Sequence, residues 1–313
     1  MDVSIIIPTR DRAAWLPTCL AHLEQQTFPA ARFEIIVVDD GSADDTSSVL
    51  QRYAQGAPVR IRPIRTERVG FAAARNKGVT LATGTMLLFF AEDELASPRI
   101  VENHWRAHGG DQVEVCLAGE IHVHPQLSPD SFTRLSIDDS PDDDEYAEQV
   151  SYFDAQSSNF SIGRTIFERI GGFDEVEGLS PLEHIVLAHR LGKEGVEIRR
   201  LADARSYVWQ PASLPAERVR YYDMGYAMFE VLRMSRSAAI VERHQLNRGP
   251  IERTLSAFLV PYYLRAFERN NRENHAFASA LRRRILHHDR AVGFNDAAHG
   301  RPRHAPAPAP PAR

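Results

Sequence analysis

The sequence predicts an α/β protein built on a mostly parallel sheet flanked by helices, with a helical extension at its C-terminal end. Three observations carry this. Short, wholly apolar runs recur at Val3–Ile7, Ile35–Val38 and Met86–Phe90 apart from Ser4, the pattern of strands buried on both faces. A helix is expected after each of the three, and a βα alternation of this kind implies a parallel sheet with right-handed crossovers. Each run stops at polar residues: Pro8-Thr9-Arg10, Asp39-Asp40-Gly41-Ser42 and Ala91-Glu92-Asp93-Glu94. Those ends fall on one edge, where open α/β sheets bind their ligands.

In chain order, Val3–Ile7 opens the sheet, and Ala13–Gln26 follows as a helix with Trp15, Leu16, Cys19, Leu20 and Leu23 near helical spacing. Phe33–Ser42 is the central strand. Its Asp39-Asp40 pair reads either as a ligand-facing edge or as a solvated turn and helix cap, since Asp is common in turns. The segment from Ser42 to Asp45 offers N-cap residues for an amphipathic stretch beginning at Thr46. Val59–Pro63 is a short strand and Phe71–Leu81 a helix. From about 113 the pattern shifts to short strands at Val113–Ala118 and Glu120–His124, with an antiparallel edge expected. Pro125–Gln149 is polar and holds the acid run Asp138–Glu145, expected as a solvated loop. Phe160–Ile170 reads as strand then helix, Pro181–Lys193 as a helix, and Val196–Arg200 and Ala204–Trp209 as short strands. Helical stretches over 215–245 and 250–288 precede a Pro/Ala-rich tail expected to be disordered. The expected boundaries are 1–212 for the α/β domain, 213–293 for the helical extension and 294–313 for the tail.

Composition narrows the function. A formal charge of -5 across 313 residues argues against a nucleic-acid partner, which needs a basic face. Two cysteines, Cys19 and Cys116, are too few for a disulfide framework and read as core residues of a reducing compartment. No apolar run is long enough to span a bilayer, and the expectation is a cytoplasmic protein, with the inner face of the membrane as a further placement. The amphipathic, arginine-rich helices after 215 leave three roles open: contact with anionic lipid, closure over an acceptor, or a dimer. The apolar Leu255–Phe267 is the candidate partner surface.

Acidic and polar strand ends on one edge suit a nucleoside diphosphate, with carboxylates binding base or ribose and others holding a divalent cation that neutralises the phosphates. There is no GxxxxGK[ST] loop and no GxGxxG, so a glycine-loop cradle is unsupported. His122 and His124 share a strand face, but no third metal ligand is evident.

Four motifs then carry a resemblance. Val3-Ser-Ile-Ile-Ile-Pro-Thr-Arg10, Ile36-Val-Val-Asp-Asp-Gly-Ser42, Gly70-Phe-Ala-Ala-Ala-Arg-Asn76 and Leu87-Leu-Phe-Phe-Ala-Glu-Asp93 stand in the order seen in family 2 glycosyltransferases, and Asn159–Leu191 is similar to that family's GGFDE block. The resemblance covers roughly 1–210. It implies the GT-A fold and inverting transfer of a sugar from a nucleotide-sugar donor to a hydroxyl of a glycan, a lipid-linked molecule or a small molecule. The alternative is a GT-A domain that binds nucleotide or glycan without turnover.

By the same resemblance Pro8, Thr9 and Arg10 meet the nucleoside, Asp39 and Asp40 bind base and ribose, and Gly70 and Arg75 lie near the donor. Glu92 and Asp93 would hold Mn²⁺ or Mg²⁺, Glu92 also facing the donor. Glu183, with His184, would supply the base that deprotonates the acceptor. The sequence departs from the family's pattern in three places: Ala91 stands at the first acid of Asp-x-Asp, His184 replaces an Asp, and Val208-Trp209-Gln210 occupies a region where the family often shows a histidine.

Overall fold

The computed structural model describes residues 1–109, 114–127, 158–176, 179–210, 213–235, 259–266 and 275–303. The acid run 138–145, the segment 236–258 and residues 304–313 lie outside the described residues. The chain divides into two units. The first holds 1–124, 144–175 and 183–209, and the second holds 125–143, 176–182 and 210–313.

The first unit is a mixed α/β structure around one eight-stranded sheet. Strands β1 (Val3–Thr9), β2 (Phe33–Asp40), β3 (Arg60–Thr66) and β4 (Met86–Phe89) alternate with helices α1 (Leu16–Glu24), α2 (Thr46–Gly56) and α3 (Phe71–Leu81). After β4 come β5 (Glu94–Ala96), α4 (Ile100–Ala107), β6 (Val115–Val123), β7 (Phe160–Gly163), α5 (Arg164–Arg169), α6 (Glu183–Lys193) and β8 (Glu197–Val208). The strand order is β3-β2-β1-β4-β7-β6-β8-β5. β3, β2, β1 and β4 are mutually parallel, while β7 runs antiparallel to β4 and β6. Chain progression therefore moves outward from β1 to β3 and then jumps back to β4 on the other side of β1. That reversal is the topological switch point beside which such sheets take ligands.

Strands β1, β2 and β4 are buried throughout and apolar along their centres because both faces are covered. Ile5, Ile7, Ile35 and Val37 pack with Leu16, Leu20, Leu50 and Ile100 of α1, α2 and α4. Ile6, Ile36, Val38 and Phe89 face α3, α5 and α6 through Ala74, Ile166, Phe167 and Leu187. Cys19 and Cys116 are buried free thiols in these two layers. Pro63, which cannot donate to a ladder, sits on the outermost strand β3, where that loss is tolerated.

Two expected strand breaks are one irregularity. In place of the two strands expected at Val113–Ala118 and Glu120–His124 stands the single strand β6, and in place of those expected at Val196–Arg200 and Ala204–Trp209 the single strand β8; residue 113 lies outside the described residues. Their register jumps from Gly119↔Leu201 to Glu120↔Arg205, so a bulge looks like a gap in the pattern. Gly119 is required there: a Cβ would lie 2.3 Å from the Asn159 side chain and 2.4 Å from the Ala204 carbonyl oxygen.

In the second unit, α7 (Leu214–Ser235) and α8 (His275–Ala298) pack at a glycine crossing. A Cβ on Gly225 would lie 1.8 Å from the Arg290 carbonyl oxygen, and one on Gly293 would lie 2.0 Å from that of Tyr222. The Arg218–Asp289 ion pair (2.8 Å) and the Tyr222–Asp296 hydrogen bond (3.0 Å) are buried between them. Helix α8 runs to Ala298, past the boundary expected at 293. Residues 259–266 are helical, burying Val260 and Leu264 against Leu281 and Ile285 and exposing Tyr262. Among the described residues no helix is long and apolar enough to cross a membrane.

Candidate active site

The carboxyl edge of the parallel strands gathers the expected residues, with Thr9 directly opposite Asp39. Pro8, Thr9, Asp39 and Asp40 are all buried. Asp39 accepts from the Ser42 backbone N–H (2.9 Å) and from the Arg65 guanidinium (2.9 Å). Asp40 accepts from the backbone N–H groups of Val69 (2.6 Å) and Gly70 (3.1 Å), from the Thr66 hydroxyl (3.2 Å), and from Arg10 (3.3 Å). Gly70 caps α3 at φ +92°, a conformation that favours glycine. Both aspartates therefore clamp the loops after β2 and β3. Thr9 Oγ1, by contrast, is buried with no hydrogen-bond partner.

The loop after β1 is stapled to the loop after β2. Asp11 N–H donates to Ser42 Oγ (2.9 Å), Arg12 N–H to Thr46 Oγ1 (2.8 Å) and Ala13 N–H to Asp44 (3.1 Å), while Asp11 Oδ1 accepts from Ala43 N–H (2.7 Å). From this fixed backbone Arg12 reaches across the switch point, its Nε 3.2 Å from Glu92 Oε1. Arg10 stacks over the Phe71 ring, 5.2 Å from its centroid.

The turn after β4 is acidic. Burial and the neighbouring Asp93 push the Glu92 carboxyl up to about 7, against the pull of Arg12. Burial and Asp93 likewise push Glu94 up to about 8. Glu94 accepts from Ser206 Oγ (2.6 Å) where β5 pairs with β8.

These residues do not fit the metal site expected of Glu92 and Asp93. Glu92 is held by Arg12, Glu94 is turned into the strand pairing, and Ala91 has no ligand atom. Asp93 remains as one carboxylate. Among the described residues no three His, Cys, Asp or Glu side chains converge as a metal site. His122 bonds instead to Glu120 at 3.0 Å. Trp209 packs edge-on to Trp15 with centroids 5.0 Å apart.

The late block comes back to α3. Arg75 NH1 lies 2.5 Å from Glu183 Oε1, both side chains buried, and its guanidinium stacks over Phe173, 5.4 Å from the centroid. Arg75 Nε and Glu183 Oε2 are buried without hydrogen-bond partners. Asn76, next in the same motif, donates to the Phe173 carbonyl (2.9 Å) and accepts from its N–H (3.0 Å). Gly172 lets Asn76 approach, since a Cβ there would meet its Oδ1 at 2.8 Å. The Ala-Arg-Asn and Gly-Gly-Phe-Asp motifs are thus two halves of one contact. His184 follows Glu183 on α6 and is half-buried.

Sequence reasoning missed Arg12 and Arg65, which show no periodicity, and a buried polar chain behind the acidic turn. There Asn159 gives its amide N–H to the Ala204 carbonyl (2.8 Å), which fixes its Oδ1 as the acceptor for His104 Nε2 (2.9 Å). His104 Nδ1 then accepts from Ser161 Oγ (2.7 Å), and His108 Nε2 donates to that hydroxyl (2.8 Å). Burial holds His104 neutral, pulling its pKa down to about 4.

The chain is similar to known glycosyltransferases. Residues 4–124 match the model of Glycosyl transferase family 2. Validoxylamine A glucosyltransferase of Streptomyces hygroscopicus subsp. jinggangensis is 31% identical over 221 residues, covering 62% of this chain and 52% of that protein. A PGL/p-HBAD biosynthesis glycosyltransferase of Mycobacterium bovis is 43% identical over 91 residues, 29% of this chain and 35% of that protein. The chain spans about half the length of the first of these relatives. Among solved structures, mannosyltransferase PcManGT from Pyrobaculum calidifontis, in complex with GDP-Man and Mn²⁺, gives a TM-score of 0.60 at 17% identity, covering 95% of this chain and 86% of that one. S. aureus TarS 1-349 in complex with UDP-GlcNAc gives 0.56 at 15%, covering 96% and 93%. Residues 4–124 thus match glycosyl transferase family 2, and the fold is GT-A.

Proposed function

We propose that this chain is a glycosyltransferase that moves a sugar, with inversion, from a nucleoside-diphosphate sugar to a hydroxyl of a glycan, a lipid-linked molecule or a small molecule. One observation carries the reading. Arg75 holds one oxygen of Glu183 and leaves Oε2 buried without a partner, a carboxylate oriented for proton transfer. In this reading Glu183 Oε2 takes the acceptor hydroxyl's proton as that oxygen forms its bond to the anomeric carbon. The bond from that carbon to the diphosphate breaks, and its electron pair leaves with the nucleoside diphosphate. A positioned base contributes typically ~10²–10⁴-fold. Arg75 is the positioning residue for Glu183, and His184 lies beside it.

Pro8, Thr9, Arg10, Asp39, Asp40, Gly70, Arg75 and Glu92 frame the donor in this proposal. Asp39 and Asp40 act mainly by fixing the loops that line it. A divalent ion arriving on the diphosphate would have Asp93 as its protein ligand. A cytoplasmic placement, with contact at the inner membrane face or pairing of two copies through α7 and α8, would suit a lipid-linked acceptor.

The test is release of nucleoside diphosphate by the purified chain from UDP-, GDP- and dTDP-sugars, with and without sugar acceptors. Turnover of one donor is expected. Binding of a nucleotide without turnover of any donor would instead favour a non-catalytic binding domain.

A further inference from the structure

We infer that Arg12 is the built-in cation of the donor site, and that a nucleoside diphosphate binds against it without a divalent ion. The inference rests on the donor-site reading above and goes beyond it in naming what meets the diphosphate. Arg12 stands at the switch point between β1 and β4, where the topology places a ligand. Its backbone is fixed by the Thr46 hydroxyl and by the neighbouring bonds of Asp11 and Ala13, so the side chain starts from a rigid base. Only its Nε is engaged among the described residues, at 3.2 Å from Glu92, and the side chain is 41% exposed. The two terminal nitrogens remain as a planar pair of donors, the geometry that matches phosphate oxygens two at a time.

The alternative source of positive charge is weakened by the same contact. Glu92 Oε1 already faces a guanidinium, Ala91 offers nothing, and Glu94 bonds to Ser206 inside the strand pairing. Arg12 thus stands on Glu92 where a divalent ion would otherwise be held. The sequence change from acid to Ala91 and the presence of Arg12 form one consistent arrangement: one carboxylate fewer, one fixed cation more.

The experiment is titration calorimetry of the full chain with UDP, GDP and dTDP, in EDTA and in Mn²⁺, for the wild type, Arg12→Gln and Arg12→Lys. Expected is binding of one nucleotide in EDTA, strengthened by Mn²⁺ less than about tenfold, and weakened at least about tenfold by Arg12→Gln. Arg12→Lys, which keeps the charge but loses the planar pair, should fall between. Binding that requires Mn²⁺ and ignores Arg12→Gln overturns the inference and leaves the donor reading standing. Binding of no nucleotide under either condition overturns both. If Arg12→Gln does not fold, as read by circular dichroism, Arg12→Lys decides: weakened binding in EDTA supports the inference and unchanged binding overturns it.

Discussion

Asp39 and Asp40 at the end of β2 differ from Glu92 and Glu183 in how far the protein has already answered their charge. Asp40 has two backbone N–H groups, a hydroxyl and a guanidinium around it, and Asp39 has a backbone N–H and a guanidinium. Glu183 has one bond and a bare second oxygen, while Glu92 has one arginine against burial and a neighbouring acid. Buried polar atoms are normally satisfied, and an exception calls for a reason. The saturated pair fixes the loops at the sheet edge, and the unsaturated pair is where the proposed chemistry would fall.

Three measurements would break or sharpen that contrast. The largest effect is expected from Glu183→Gln, which keeps the shape but removes the base. Transfer should fall ~10²–10⁴-fold with donor affinity nearly unchanged. A matching loss of donor binding would reassign Glu183 to a structural role. Next, Asp40→Ala removes a buried charge and strands the Val69 and Gly70 N–H groups. It should cost about 3–5 kcal/mol of stability by urea denaturation. A cost below about 1 kcal/mol would mean that the clamp is slack and that Asp40 is free to serve the ligand.

The smallest effect concerns His104. Its folded pKa, about 4, lies below its ordinary value of 6.5. Below pH 6.5 the unfolded chain therefore binds a proton that the folded chain refuses. Stability from this group is complete above that pH and falls as pH drops toward 4, by at most about 1.4 kcal/mol per unit. Comparing urea midpoints of wild type and His104→Gln between pH 7 and pH 4.5 isolates the slope. Equal slopes would remove His104 from the account.

Much of the fold was legible because two-sided burial writes itself as unbroken apolar runs. Helix α3 begins and ends where Phe71 and Leu81 mark it. The bulge at Gly119 was read as two strand ends because alternation fails there whether or not the strand continues. At the site, the edge position of Asp39 and Asp40 could be read, but not their partners, since Val69 and Gly70 return to Asp40 only through the folded course of β3. The Arg75–Glu183 pair joins positions 108 residues apart in sequence, and family likeness put each near the donor or acceptor without showing that they touch. Arg12 carried no local signal: an arginine in a polar loop looks like any solvated one until Glu92 is placed beside it.

The long register jump between β6 and β8 has a mechanical outcome. By looping out residues 202–204, β8 keeps its partner β6 and presents Ser206–Val208 to β5 as well. The acidic turn is therefore moored on both banks, by β4 before it and by the β5–β8 ladder after it. A turn so anchored has little room to swing toward an incoming molecule. The entropy of ordering it was lost when the chain folded, and recognition there should proceed by docking onto a finished surface.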